Sequence, residues 1–194
     1  MARPNRSDER RSELLPVVAA AFAELGYRRA TTSQLAERCG VQETILYRLW
    51  PDKRSMFTAA IEFVAEHSRA VWAGELATAG AGSTAEAVLD YESEHLGEHG
   101  LYRLLFAGLS EADDPEIRRA LRSAYRTFHR FILSLVEGHQ GREGAGRVAP
   151  EPVLAAWALI GLGTMASVGR ELDLISGKER RRLLASIGRH LLGP

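Results

Sequence analysis

Residues 32–50 read Thr-Ser-Gln-Leu-Ala-Glu-Arg-Cys-Gly-Val-Gln-Glu-Thr-Ile-Leu-Tyr-Arg-Leu-Trp, the pattern of two short amphipathic helices meeting at Gly40. Leu35, Cys39, Val41, Leu46 and Leu49 fall where they can close a small core. Ala36 lets the two helices cross closely, and Gly40 can take the left-handed conformation of a tight turn. Gln42, Glu43, Thr44, Tyr47 and Arg48 are left facing outward on the second helix. A helix offering hydrogen-bonding side chains from its first turn suits the major groove of DNA.

The flanking residues fit the same task. Thr31 or Thr32 can cap the first helix of the pair, whose open backbone N–H groups then face an anion. Lys53, just beyond Trp50-Pro51, adds a point charge at the start of the next helix. Gln42 is a poor N-cap unless it is committed to a base. Glu43 is unfavourable near phosphates; it either accepts from a cytosine amino group or complements the helix dipole. Tyr47 is a backbone contact or a half-buried packing residue, and Cys39 is expected as a small buried hydrophobe.

In order and spacing, Phe22-Ala-Glu-Leu-Gly-Tyr27, Ala30-Thr-Thr32, Leu35-Ala-Glu-Arg-Cys-Gly-Val41, Leu46-Tyr47 and Pro51-Asp-Lys53 closely resemble the DNA-binding signature of the TetR family. The resemblance covers residues 14 to about 60. It implies a three-helix DNA-binding unit, then a helical regulatory domain that dimerises and holds a small-molecule pocket, usually in a repressor released by its ligand. Carried onto this chain, the resemblance puts Thr32 and Lys53 on phosphates, Tyr47 on the DNA backbone, and base reading on Gln42, Glu43 and Thr44. Two positions depart from the pattern beside Gln42, which replaces the common Ser or Thr. Leu49 and Trp50 stand where His and Phe are usual, which removes one polar contact.

The composition agrees once it is divided. The 194 residues carry no formal net charge, yet residues 1–55 hold ten Lys and Arg against seven Asp and Glu, and the remainder is acidic in compensation. Excess positive charge at one end is what a DNA partner asks for. With 45% hydrophobic residues the chain can bury a sizeable core. Cys39 is the single cysteine, so no intramolecular disulfide or Cys-x-x-Cys site can form. No apolar leader follows Met1 and no apolar run approaches the roughly 18 residues of a membrane span, from which a soluble, cytoplasmic protein is expected. No phosphate loop, Gly-x-Ser-x-Gly elbow or His-Glu-x-x-His occurs, so neither an enzyme nor a cofactor is expected.

Apolar spacing of three and four recurs from residue 13 onward without a strand-like run, giving an all-α fold of about nine helices. They are expected near 10–25, 32–39, 43–49, 52–78, 84–98, 101–110, 115–137, 151–170 and 178–192, with turns at the Gly80-Ala81-Gly82-Ser83 stretch among others. Pro16 should make the first helix start late, behind a mobile basic arm, and Gly138 to Pro150 should be a flexible connection. The division expected is a DNA-binding domain at 1–51 and a regulatory domain at 52–194.

Within the regulatory part, Trp72, Tyr91, Tyr102 and Phe128 are the candidate effector contacts, chosen from an aromatic set most of which must be core. Glu86, Asp90, Glu94 and Glu98 form one charged stripe and Arg118, Arg122, Arg126 and Arg130 another; solvated faces, a ladder between helices and an anion site all remain open. His95 and His99 have zinc-compatible spacing at a helix end weakened by Gly97 and Gly100, and no metal is expected. Residues 151–192, rich in apolar and small side chains, are the expected homodimer interface, with Leu184 on its apolar face. The partners expected are double-stranded operator DNA, a small-molecule effector and a second copy of the chain. An activator on the same fold, or a helical small-molecule-binding protein without DNA, is the alternative.

Overall fold

The computed structural model describes residues 6–78, 85–96, 100–143 and 150–192. Nine helices and no strand occur among them: α1 (Arg6–Leu25), α2 (Thr32–Arg38), α3 (Glu43–Leu49), α4 (Lys53–Thr78), α5 (Ala85–His95), α6 (Tyr102–Leu109), α7 (Pro115–Glu143), α8 (Pro152–Glu171) and α9 (Gly177–Leu192). The chain divides into two compact units, Met1–His67 with His99–Tyr125 and Ser68–Glu98 with Arg126–Pro194, to both of which α4 and α7 contribute.

In the first unit, α1, α2 and α3 pack through Leu14, Val18, Phe22, Leu35, Ala36, Leu46 and Leu49, all buried. Phe22 meets Phe57 of α4 edge-on at 5.0 Å between ring centroids, and Tyr27 lies 4.7 Å from Phe57. Asp52 starts α4 by accepting from the backbone N–H and the hydroxyl of Ser55, both at 2.7 Å. Gly108 lets α6 approach closely, because a Cβ there would stand 2.9 Å from Leu121 Cδ2 and 3.2 Å from Ile61 Cδ1. The turn into α7 is tied by ion pairs from Arg28 to Glu111 at 2.8 Å and from Arg54 to Glu116 at 2.9 Å. Pro115 at the first helical position and Asp114 Oδ1, accepting from Glu116 N and Ile117 N, then start α7.

The second unit is built on Ala85, Val136, Ala155, Leu159 and Leu192, against which Leu89, Ile132, Leu135 and Leu191 pack. A Cβ at Gly188 of α9 would lie 2.8 Å from Leu89 Cδ2 of α5, so any larger residue there would have to displace the Leu89 side chain. Arg170 closes the end of α8 by donating to Leu96 O at 3.0 Å.

Four expectations change. The first helix does not wait for Pro16 but begins at Arg6, and the carbonyl of Ser12 that Pro16 leaves without a helical donor lies at an exposed position where water can serve it. The fate of residues 1–5 of the expected arm, of the 80–83 turn and of Gly144 and Gly146 lies outside the described residues. Gly138 and Gly141 are helical, because α7 continues to Glu143 on the strength of buried Val136 and His139 and of Gln140, which donates to Pro150 O and Leu192 O. Contrary to the hydropathy reading, α8 is by length and composition apolar enough to cross a membrane. Leu184 is buried core rather than available surface, so it serves the fold of one chain.

Candidate DNA-binding surface

Thr31, not Thr32, is the cap of α2: its hydroxyl accepts from Gln34 N while Gln34 Oε1 accepts from Thr31 N, a reciprocal capping box. That leaves Thr32, the first residue of the helix, with its hydroxyl 3.0 Å from the Tyr47 hydroxyl of α3. Two hydroxyls fifteen positions apart in sequence thus share one spot beside the α2 N-terminus, where positive dipole and open N–H groups favour an anion. The tyrosine is about half exposed (47%).

The turn between the helices ends α2 with two bonds, Gly40 N to Glu37 O and Val41 N to Ala36 O, each 3.0 Å. Gly40 has φ +63°, the left-handed value the sequence called for. Below it Leu35, Ala36, Leu46 and Leu49 are buried, but Cys39 and Val41 are only partly so, which corrects their expected place in the core. Partial burial still pushes the Cys39 thiol pKa upward, so the thiol is the resting form.

On α3, Gln42, Glu43, Thr44, Tyr47 and Arg48 are all exposed. Gln42 is the N-cap and makes no side-chain capping bond, so its amide is uncommitted to the helix. Supports hold this surface from behind. Arg38 is bidentate to Glu24 at 2.6 and 2.8 Å, fastening α2 to α1 and holding the Glu24 carboxyl below its usual range. Arg11 of α1 donates to Leu49 O and lies over the buried Trp50 ring, fixing the end of α3.

Lys53 does more than sequence reasoning gave it. Its Nζ donates to Tyr27 O and to Ala30 O, each at 3.0 Å, and lies 4.7 Å from the Tyr27 ring centroid. It therefore clamps the loop between α1 and α2. Nothing in the spacing announced this, since both acceptors are backbone carbonyls in a stretch whose side chains carry the pattern.

The four aromatic candidates are distributed unequally. Trp72 and Phe128 are buried and 5.8 Å apart, and Phe131, an aromatic residue outside the chosen four, lies 5.4 Å from Trp72. Tyr91 stacks on His95 at 4.4 Å, whereas Tyr102 belongs to the first unit. Glu92, passed over because it falls off the Glu86-Asp90-Glu94 stripe, accepts from Trp72 Nε1 at 2.6 Å. In the stripes themselves, Asp90 pairs with Arg189 of α9 at 2.6 Å, Arg118 donates to Ala112 O and Asp113 O, and Arg130 donates to Arg126 O. Glu98 and His99 lie outside the described residues.

The family profile described as "Bacterial regulatory proteins, tetR family" matches residues 16–60, the segment that builds this surface. The chain is similar to the nucleoid occlusion factor SlmA of Pasteurella multocida, with 27% identity over 154 residues and 76% of each chain covered. In fold it is similar to a putative transcriptional regulator of Saccharomonospora viridis in complex with choline, with TM-score 0.77, 16% identity, and 96% and 99% of the two chains covered. It is also similar in fold to the transcriptional regulator FadR of Bacillus subtilis in complex with stearoyl-CoA, with TM-score 0.66, 18% identity, and 92% and 99% covered.

Proposed function

Because this chain belongs, through its helix-turn-helix, to the TetR family of bacterial regulatory proteins, we propose that it is a homodimeric cytoplasmic repressor that a small-molecule effector lifts from a palindromic operator. The observation that carries the DNA part is the Thr32–Tyr47 hydroxyl pair at the α2 N-terminus, next to an α3 whose polar side chains are all exposed. In this reading the two hydroxyls and the α2 N–H groups hold one phosphate and fix the depth of α3 in the groove. Gln42, Glu43 and Thr44 then meet base edges, Arg48 lies beside them, and Lys53 gives two of its protons to the loop and the third to a phosphate.

Residues 1–51 read the DNA and residues 52–194 regulate and dimerise, a division of labour rather than of packing. In this reading the regulatory part holds its effector in the second unit, near Trp72, Tyr91 and Phe128. The ligand-bound neighbours of this fold hold choline in one case and stearoyl-CoA in the other, so the fold by itself leaves the effector's chemistry to the side chains. The exposed apolar face of α8 serves dimerisation, and the protein acts as a regulator rather than an enzyme.

Selection of bound duplexes from a random pool tests the reading. A twofold-symmetric consensus is expected, with half-sites about one helical turn apart or a multiple of it. Recovery of no consensus, or of one without symmetry, would overturn the operator reading.

A further inference from the structure

A partly buried carboxylate bonded to the edge of an aromatic cluster is the feature of the second unit that the DNA surface leaves unused. Glu92 of α5 is partly buried and receives a hydrogen bond from Trp72 Nε1 at 2.6 Å. Trp72 in turn contacts Phe128 at 5.8 Å and Phe131 at 5.4 Å. One turn along α5 from Glu92, His95 donates from Nδ1 to Tyr91 O at 3.0 Å and stacks on the Tyr91 ring. The stacked rings of Tyr91 and His95 lie beside the acid on the same helix, and no Lys or Arg pairs with it among the described residues.

Such an arrangement is expensive as structure. Burial raises the Glu92 pKa, and the Trp72 hydrogen bond and the charge of His95, which both lower it, do not offset the lost hydration of a carboxylate. A glutamine at the same position would accept the Trp72 proton equally well without carrying charge into the site. What the carboxylate adds, and an amide does not, is attraction for a positive charge. Aromatic faces reinforce that attraction, since a cation over an indole or phenyl face gains from the ring quadrupole.

We propose that Glu92 is the counter-ion of the effector site and that the effector is an organic cation whose ammonium or amidinium group sits against the Glu92 carboxylate, walled by Trp72, Phe128, Phe131 and the Tyr91–His95 stack. This rests on the reading that the second unit binds an effector, and it names that effector's chemical class. Anionic ligands are disfavoured by the same carboxylate, and neutral ones gain nothing from it.

The test uses the full-length protein and isothermal titration calorimetry with phenyltrimethylammonium, its uncharged carbon counterpart tert-butylbenzene, and benzenesulfonate. The cation is expected to bind the wild type most tightly, and Glu92→Gln to weaken it by about tenfold or more while changing tert-butylbenzene by less than about twofold. Glu92→Asp, which keeps the charge but withdraws it by one methylene, should fall between the two and carries the test should Glu92→Gln fail to fold by circular dichroism. Equal binding of the cation by wild type and Glu92→Gln, equal binding of cation and carbon counterpart, or no heat with the wild type at millimolar cation would each overturn the assignment. Fluorescence anisotropy on operator DNA in the same samples separates this outcome from the parent reading. A cation that binds through Glu92 yet leaves the DNA bound supports the site and refutes ligand release. Release by an uncharged or anionic compound with no cation binding refutes the site and keeps ligand release.

Discussion

Two residues show how much a single side chain can carry beyond its sequence signal. Lys53 is the first residue of α4 and also the clamp on Tyr27 O and Ala30 O. Lys53→Met keeps the aliphatic stem and removes both charge-assisted bonds, so unfolding by denaturant should show a loss of about 1.5–3 kcal/mol. If the third proton meets a phosphate in each of two subunits, the slope of log K for DNA against log salt should become shallower by roughly two. An unchanged slope with the stability loss intact would make Lys53 a loop clamp alone. Glu92 runs the other way, since its function and its stability oppose each other. Its pKa is raised in the folded chain, chiefly by burial, so the folded state binds the proton more tightly than the unfolded state does. Stability attributable to Glu92 is therefore full below the unfolded carboxylate range and falls as pH rises towards the folded value. Glu92→Gln should leave Tm unchanged near pH 4 and raise it near pH 7 by about 2–4 °C, the change that ~1 kcal/mol makes in a domain of this size. A lower Tm for the variant near pH 7 would show that the ionised carboxylate stabilises the fold.

At the scale of elements, backbone conformation rather than contact separates glycines that look alike in sequence. Gly40 and Gly74 both have open space where a Cβ would stand. Gly40, however, holds φ +63° at the turn, while Gly74 lies inside α4 and is exposed. Gly40→Ala should cost about 1–2 kcal/mol from the left-handed conformation alone, whereas Gly74→Ala should gain about 0.5–1 kcal/mol from helix propensity. Chemical denaturation of the pair checks the opposite signs, and a shared sign would refute the conformational account. The same contrast explains which parts of the fold could be read from the sequence. The hairpin was legible because Gly40 and the buried Leu35, Leu46 and Leu49 are local and periodic. The extension of α7 past residue 137 was not, because Gly138 and Gly141 signal a break that Gln140 overrides by bonding to residues 10 and 52 positions away. Glu92 escaped notice for a like reason: its significance lies in a contact with Trp72 on another helix, which no spacing encodes.

For the whole molecule, the unresolved demand is the surface of α8. Leu154, Met165 and Trp157 are 61%, 58% and 46% exposed, and with Gly161 they recur at three, four and four positions, which sets them on one helical stripe. Ile187 adds an apolar residue from α9 at 44% exposure. A helix whose outer face is this apolar gains from a second copy of itself, and an isologous pairing would also supply the twofold axis that a symmetric operator matches. Sedimentation of the wild type should therefore give a dimer at micromolar concentration. Leu154→Glu should give a monomer of unchanged helicity, because the side chain it replaces touches solvent in the single chain. Leu184→Ala should act differently, lowering the free energy of unfolding by the cost of a core cavity, about 2–5 kcal/mol, because Leu184 is only 3% exposed. On DNA, the Leu154→Glu monomer should retain half-site preference but lose most of the affinity for the full palindrome, since two linked hairpins bind more tightly than one. Vesicle flotation supplies the opposing outcome, as α8 has the length and composition of a span. A monomeric wild type that floats with lipid would assign the stripe to a membrane, whereas a dimer that stays with the buffer and is split by Leu154→Glu places it between two subunits.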